Sequence, residues 1–205
     1  DTSAGGGFGT LYGPTVGKPA AAGPDGQIYG TEYLTFAPGR RKVTMMVQVP
    51  DFFGRDGRPP CIVTGPSSGS RGIYGAIGSA GEWGLKHGCA VAYTDKGTGN
   101  GVHDLQNDTV DLIDGRRTDA VTAGKASNFT ARLTADERTA FNAATPNRFA
   151  VKHAHSQQNP EKDWGRQTLQ AVEFALWLLD AKAADVLPEG ARPHRPITKQ
   201  RTLVI

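Results

Sequence analysis

Residues 61–99, CIVTGPSSGSRGIYGAIGSAGEWGLKHGCAVAYTDKGTG, carry the reading that decides the fold. Two short apolar runs lie in this stretch, Cys61-Ile62-Val63-Thr64 and Cys89-Ala90-Val91-Ala92-Tyr93. Continuous apolarity without polar alternation is how a strand covered on both faces reads, as in a parallel sheet. Parallel neighbours need a crossover, and the residues between the runs supply one. Ile77 through Leu85 reads as a helix with Trp83 and Leu85 inward, closed at His87-Gly88 by a glycine C-cap.

Working outward, Tyr33, Leu34 and Phe36 form a short strand and Pro38-Gly39-Arg40 is turn chemistry. Val43, Met45, Val47 and Val49 then alternate with Thr44, Met46 and Gln48, the period of two that a strand requires. Together they predict an antiparallel hairpin. Residues 1–28 are rich in Gly, Ala and Pro and read as an irregular arm ahead of a domain over 29–205. Residues 103–150 are polar with patches of helix. A segment of that length between core elements reads as an insertion over an active-site face. Within it Thr134-Ala135-Asp136-Glu137 is a capping box that predicts a helix over about 135–144, stopped by Pro146. A longer helix comes next, capped by Asn159 with Pro160 in its first turn, running to about Lys182. Its expected inward stripe is Trp164, Thr168, Val172, Ala175 and Leu179, widened by Leu169 and Leu176. Thr202-Leu203-Val204-Ile205 starts a last apolar strand, read as interior to the sheet.

The order is hairpin, strand, helix, strand, insertion, helix, strand. It predicts an α/β fold, an incomplete α/β-hydrolase core in which an antiparallel hairpin leads into a parallel sheet with flanking helices. A Rossmann reading fails because Gly97-Thr98-Gly99-Asn100-Gly101 is not GxGxxG and no helix pattern begins there. In an α/β hydrolase the fifth strand feeds the turn that carries the nucleophilic serine. The nucleophile and the rest of the triad are therefore expected beyond Ile205, and residues 1–205 by themselves are expected to be inactive.

Composition narrows the classes. With 23 basic and 20 acidic side chains the net charge is +3, which makes no electrostatic case for nucleic acid or an anionic membrane. Arg40-Arg41-Lys42 and Arg116-Arg117 read as solvated surface. No apolar run reaches the length of a membrane span. Asp1 to Gly9 lack the pattern of a signal peptide and there is no initiator Met, so the compartment is not read from this end. Cys61 and Cys89 form no CxxC pair. Neighbouring strands would bring them close, but a bridge between parallel strands is demanding, and two buried free thiols are the expected state.

The string from Cys61 through Arg117, ending NGVHDLQNDTVDLIDGRR, resembles the corresponding part of the D-(−)-3-hydroxybutyrate oligomer hydrolases. So does NRFAVKHAHSQQNPEKDWG, residues 147–165, with the helix after it. The likeness runs from about Phe8 to Ile205, and HGCAVAYTDKGTG is more weakly similar to tannase and feruloyl-esterase relatives. The resemblance implies a serine esterase acting on short oligomers of (R)-3-hydroxybutyrate during breakdown of the storage polyester, secreted, periplasmic or on intracellular polymer granules. Its implied partners are the soluble ester substrate and the remainder of the catalytic domain. Members of that family are much longer and carry their serine in a Ser-x-Ser-Asn-Gly-Gly type segment, which is not present here.

Gly65-Pro66-Ser67-Ser68-Gly69 formally satisfies GxSxG, and Ser67 is the fallback nucleophile for a complete small hydrolase. The better reading is an oxyanion loop, since one oxyanion donor in this fold comes from the loop after strand three, with Ser67, Ser68 and Gly69 as its candidates; a plain turn whose serines satisfy local backbone stands equally beside it. Arg71 can meet a substrate carboxylate or simply be ion-paired. Asp95, Lys96, Gly97 and His103 are expected along the cleft, with Asp95 capping backbone N–H groups of its own loop. His103-Asp104 and His153-Ala154-His155 invite triad or metal readings, but satisfied polar contacts are the default, and no metal or other cofactor is expected. A non-catalytic binding or scaffold piece is the remaining rival.

Overall fold

Strand β1, Gly30–Phe36, pairs antiparallel with β2, Thr44–Pro50, from Gly30 against Pro50 to Phe36 against Thr44. This is the hairpin that the alternation predicts. The computed structural model describes residues 28–39, 42–55, 59–67, 72–99, 101–180 and 197–205. The arm, apart from Ile28, lies outside them. Strand β3, Cys61–Pro66, runs parallel to β4, Ala90–Thr94, and β4 lies antiparallel to β2. The last strand, Leu203–Val204, pairs parallel with β3, so the five strands stand in chain order one, two, four, three, five.

Helices cover both faces of this sheet, which is why its strands read as continuous apolar runs. Met45, Val47 and Val49 of β2, Ile62 of β3 and Ala90 and Ala92 of β4 form one core with the long helix Trp164–Leu179. Met46, Val63, Val91 and Tyr93 form the other, under the segment from Ile73 to Leu85. The long helix is entered through a 3-10 turn, Glu161–Asp163, rather than capped by Asn159, and it ends at Leu179. Its buried face is Gln167, Ala171, Ala175, Leu178 and Leu179. The expected stripe is thus rotated: small Ala171 and Ala175 let the backbone approach Ala90 and Ala92, and Leu169 is left in solvent.

The crossover between β3 and β4 corrects the sequence reading. After a 3-10 turn, Gly72–Tyr74, the expected helix opens as a π-helical turn, Ile77–Gly81, and becomes α-helix α1 only over Glu82–Lys86. Two glycines lie against the sheet: a Cβ on Gly81 would stand 2.2 Å from the Tyr93 hydroxyl, and one on Gly84 would stand 2.8 Å from Val91 Cγ2. With that face occupied by glycine, Trp83 points outward and stacks on His87 at 4.2 Å. Leu85 packs inward and Gly88 takes φ 76°, as a glycine C-cap does. Gly84→Val should therefore destabilise by about 1–3 kcal/mol through overpacking, whereas Gly165→Ala, with nothing within 4 Å of the new Cβ, should gain up to about 1 kcal/mol in helix propensity. Thermal melts of the two variants check this; equal midpoints would refute the packing argument.

Cys61 and Cys89 form a disulfide, contrary to the expectation of free thiols. Ile62 sits opposite Ala90, so the two cysteines are neighbours one residue earlier, with Cα atoms 4.8 Å apart. Cys89 lies just outside β4, where backbone geometry is less constrained than within the ladder.

Between β4 and the long helix the chain builds a second sheet that the sequence did not announce. Strands β5, Val102–Asp104, β6, Thr109–Asp111, β7, Arg117–Asp119, and β8, Phe149–Val151, stand in the order β7-β6-β5-β8, all antiparallel. They are three residues each, too short for a visible alternation. The last strand of the first sheet, Leu203–Val204, is β9 in this numbering. A one-turn helix α2, Ala120–Ala123, is capped by Asp119. The expected capping box is present, with Thr134 and Glu137 reciprocally bonded at the start of α3, Ala135–Ala144. A short helix α4, Lys152–His155, comes after β8, and the long helix is α5. β9 occupies the expected place beside β3, but its side chains are about half exposed, because among the described residues β3 is its one neighbour in the sheet.

Candidate functional site

The parallel strands β3 and β4 end side by side at Pro66 and Thr94. The Ser67 N–H donates to the Thr94 carbonyl at 2.9 Å, which extends the pairing by one residue, and Ser67 is completely buried. Ser68, Gly69 and Arg71, the rest of the expected oxyanion and substrate loop, lie outside the described residues.

Asp95 organises the loop at the end of β4. Its Oδ1 accepts the N–H groups of Thr44 at 2.9 Å and Gly97 at 2.7 Å, and its own N–H donates to the Thr44 carbonyl. The bond from Gly97 is the loop-capping contact that the sequence predicts. Lys96, Gly97 and Gly99 all have positive φ, so the chain turns sharply here. Gly99 is needed as glycine, since a Cβ there would stand 2.3 Å from Asp95 Oδ2. Lys96 places its ammonium 3.9 Å from the centre of the Trp164 ring, a cation–π contact, and burial lowers its pKa.

The other carboxylate oxygen meets a residue that sequence reasoning passed over. Lys152 Nζ donates to Asp95 Oδ2 at 2.9 Å and to Asn128 Oδ1 at 3.2 Å. Both charges are withdrawn from water, Lys152 at 5% and Asp95 at 1% side-chain exposure. Within KHAH the histidines drew attention, yet they are exposed and the lysine is buried. A lysine in a polar run gives no sequence signal of burial; only the docking of the second sheet brings it to Asp95.

His103 lies inside the second sheet, opposite Val110 and Ala150, and is buried. Its Nδ1 accepts the Ala131 N–H, so Nε2 carries the proton and donates to Asp108, 3.0 Å away. Arg138 bonds the other oxygen of Asp108. Of the other described histidines, His87 bonds the Trp83 carbonyl, His153 bonds Glu161 and His155 bonds Val151. Among the described residues none of these four is hydrogen-bonded to a serine. Among the described residues no three His, Cys, Asp or Glu side chains gather as metal ligands would.

Two cavities flank this cluster, and Asn128 lines both. One, of about 220 Å³, lies where β4 ends and is walled by Thr44, Ile73, Tyr74, Asp95 and the 111–115 segment of the second sheet. Glu32 accepts a bond from Tyr74 there, and burial followed by the Glu32 charge raises the Tyr74 pKa. The other, also about 220 Å³, is walled by Lys42, Gly97, Arg132, Lys152 and His155. Lys42 is half-buried, which departs from the solvated reading of its basic run; Arg116 and Arg117 are exposed as that reading expected, and Arg40 and Arg41 lie outside the described residues. A larger apolar cavity of about 450 Å³ lies at the opposite strand ends, beside the disulfide, Trp83, Leu203 and Ile205. His87 and Arg201 line it, and Asp95, Lys152 and Asn128 do not.

Chemically, Asp95 and Lys152 form a locked pair. Three donors already occupy the carboxylate, which holds the loop and the second sheet in place. No helix is long and apolar enough to cross a membrane among the described residues.

Comparison with known proteins adds the lineage. The family described as 3HB-oligomer hydrolase (3HBOH) matches residues 1–205. A relative in Polaromonas naphthalenivorans named D-(-)-3-hydroxybutyrate oligomer hydrolase is 62% identical over 209 residues, covering 100% of this chain and 29% of its own length. Proteins of the same name in Albidiferax ferrireducens and Ralstonia nicotianae are 61% and 55% identical, again over 100% of this chain. The chain spans 28–29% of the length of these curated relatives. No solved structure matches. A match that takes in every residue, together with identity of this height, leaves one conclusion about lineage: the chain belongs to the 3HB-oligomer hydrolase family.

Proposed function

We propose that this chain forms the first part of an α/β-hydrolase catalytic domain that cleaves the ester bonds of short (R)-3-hydroxybutyrate oligomers. The observation that carries this reading is the sheet: an antiparallel hairpin leading into parallel strands in the order one, two, four, three, five. In such a core β9 is the strand that feeds the nucleophile elbow, and the loop after β3 supplies an oxyanion donor. Ser68 and Gly69 follow β3 in the second position, and developing negative charge on the ester carbonyl would be met by their N–H groups, the Ser67 N–H being committed to the Thr94 carbonyl. Ser67 as nucleophile is disfavoured by its complete burial and by the other partners of the described histidines. The serine then belongs to the part of the relatives' length that this chain does not span, with the acid and histidine after it. The names of the relatives support the substrate. The disulfide supports work in an oxidising compartment, secreted or periplasmic.

A fluorophosphonate probe tests this on the full-length protein that carries the chain. The label should map to a serine outside residues 1–205, monomer should be released from the hydroxybutyrate dimer, and residues 1–205 by themselves should release none. Labelling at Ser67 would overturn the assignment of the nucleophile.

A further inference from the structure

Basic side chains surround the cavity on the Lys152 side of Asn128, and of these Lys152 is paired with a carboxylate, that of Asp95. Lys42, Arg132 and Lys152 line it together with His155, whose Nδ1 accepts the Val151 N–H, and with the hydroxyls of Ser127 and Thr130, which bond each other at 2.9 Å and leave one hydroxyl hydrogen over; no Asp or Glu is among its described lining residues. Asp95 is the nearest acid in this network, and its oxygens are committed to Thr44, Gly97 and Lys152. Lys152 has given two hydrogens of its ammonium to Asp95 and Asn128, which leaves the third. Lys42 bonds the Lys125 carbonyl and rests 4.5 Å from the centre of the Phe36 ring. Burial, then the positive charges of Lys152 and Lys125, lower its pKa, so the cations crowd one another. Arg132 is exposed and makes no ion pair among the described residues. Excess positive charge against hydroxyl donors in a concave site is the arrangement that receives an anion.

We propose that this cavity is a carboxylate subsite, in which Arg132 and Lys42 hold the free acid end of a hydroxybutyrate oligomer. The proposal rests on the esterase reading above and deepens it. Every linear oligomer ends in one carboxylate, and in a long polymer that end is a vanishing share of the chain. A subsite that demands it selects short oligomers over polymer. Phe129 and Pro160 offer apolar wall to the methyl branch beside the acid. Asn128 also lines the cavity at the end of β4, the side toward which the rest of an anchored oligomer would run.

Binding decides the matter without any turnover. Calorimetric titration of the chain with sodium (R)-3-hydroxybutyrate, its methyl ester and inorganic phosphate should show the acid bound about tenfold or more tightly than the ester, as a charge-assisted contact requires. Arg132→Gln and Lys42→Met should each weaken the acid about tenfold, leave the ester unchanged and keep the melting midpoint. On the full-length protein, the same variants should raise KM for the hydroxybutyrate dimer and leave kcat, and should leave the dimer methyl ester untouched. Equal affinity for acid and ester, no binding of either, or variants that bind the acid like the parent would each overturn the subsite. Phosphate competing on equal terms would do so too, since it marks an unselective anion site. If the full-length protein does not cleave the dimer while the acid still binds selectively, the esterase reading fails and the carboxylate site stands.

Discussion

Lys152→Met should lower the stability of the chain by about 3–5 kcal/mol, the usual cost of leaving one member of a buried ion pair without its partner. Asp95 would keep its bonds from Thr44 and Gly97 but lose the one full charge facing it. Asn128 would lose a donor at the same time. Asp95→Asn in the Lys152→Met background should recover at least half of the loss, because a neutral amide still accepts the two backbone N–H groups. Urea titration monitored by fluorescence of the three tryptophans reads both variants. A single-variant loss below about 1 kcal/mol would place the pair in the range of solvated surface bridges and contradict its burial. The same titration bears on architecture, since Lys152 is where the second sheet is tied to the first: its N–H bonds the Gly101 carbonyl and its ammonium bonds the loop after β4.

The second large effect concerns the staple. Reducing Cys61–Cys89, or replacing both residues by serine, should cost about 3–4 kcal/mol, from the chain entropy of a loop of this length; the two cysteines are 28 residues apart. The loop encloses the whole crossover, including the π-helical turn and α1, which meet the sheet through Gly81 and Gly84 as well as through Ile77, Ala80 and Leu85. Glycine contributes no side chain to bury and loses the most freedom on ordering, so this crossover depends on the covalent tie more than a leucine-faced helix would. Under denaturing conditions iodoacetamide should label neither cysteine before reduction and both after it. Labelling before reduction would restore the free-thiol reading. Unchanged stability after reduction would mean that packing alone orders the crossover.

Much of the first sheet was legible in the sequence because each of its strands carries a local pattern. Val43 to Val49 alternates, Ile62–Val63 and Ala90–Tyr93 are continuous, and Thr134–Glu137 spells out its own cap. These signals reflect which faces are buried, and burial of a regular element leaves a regular trace. The long helix shows where that trace blurs. Its apolar residues are spread too widely to name one face, and the two alanines that seat it against β4 look unremarkable in isolation.

Residue order was enough for the elements of the first sheet, their succession, the parallel core and the lineage, since each rests on local periodicity or on long strings of shared residues. Three things came only with the closed fold: the second sheet of three-residue strands, the pairing of Lys152 with Asp95, and the bond between Cys61 and Cys89. The ion pair and the disulfide join residues 57 and 28 positions apart, and β8 joins the second sheet by pairing Ala150 with His103. No local pattern encodes such relations. A lysine, an aspartate or a cysteine looks the same in sequence whether its partner is water or another buried side chain, and only the closing of the fold removes the water.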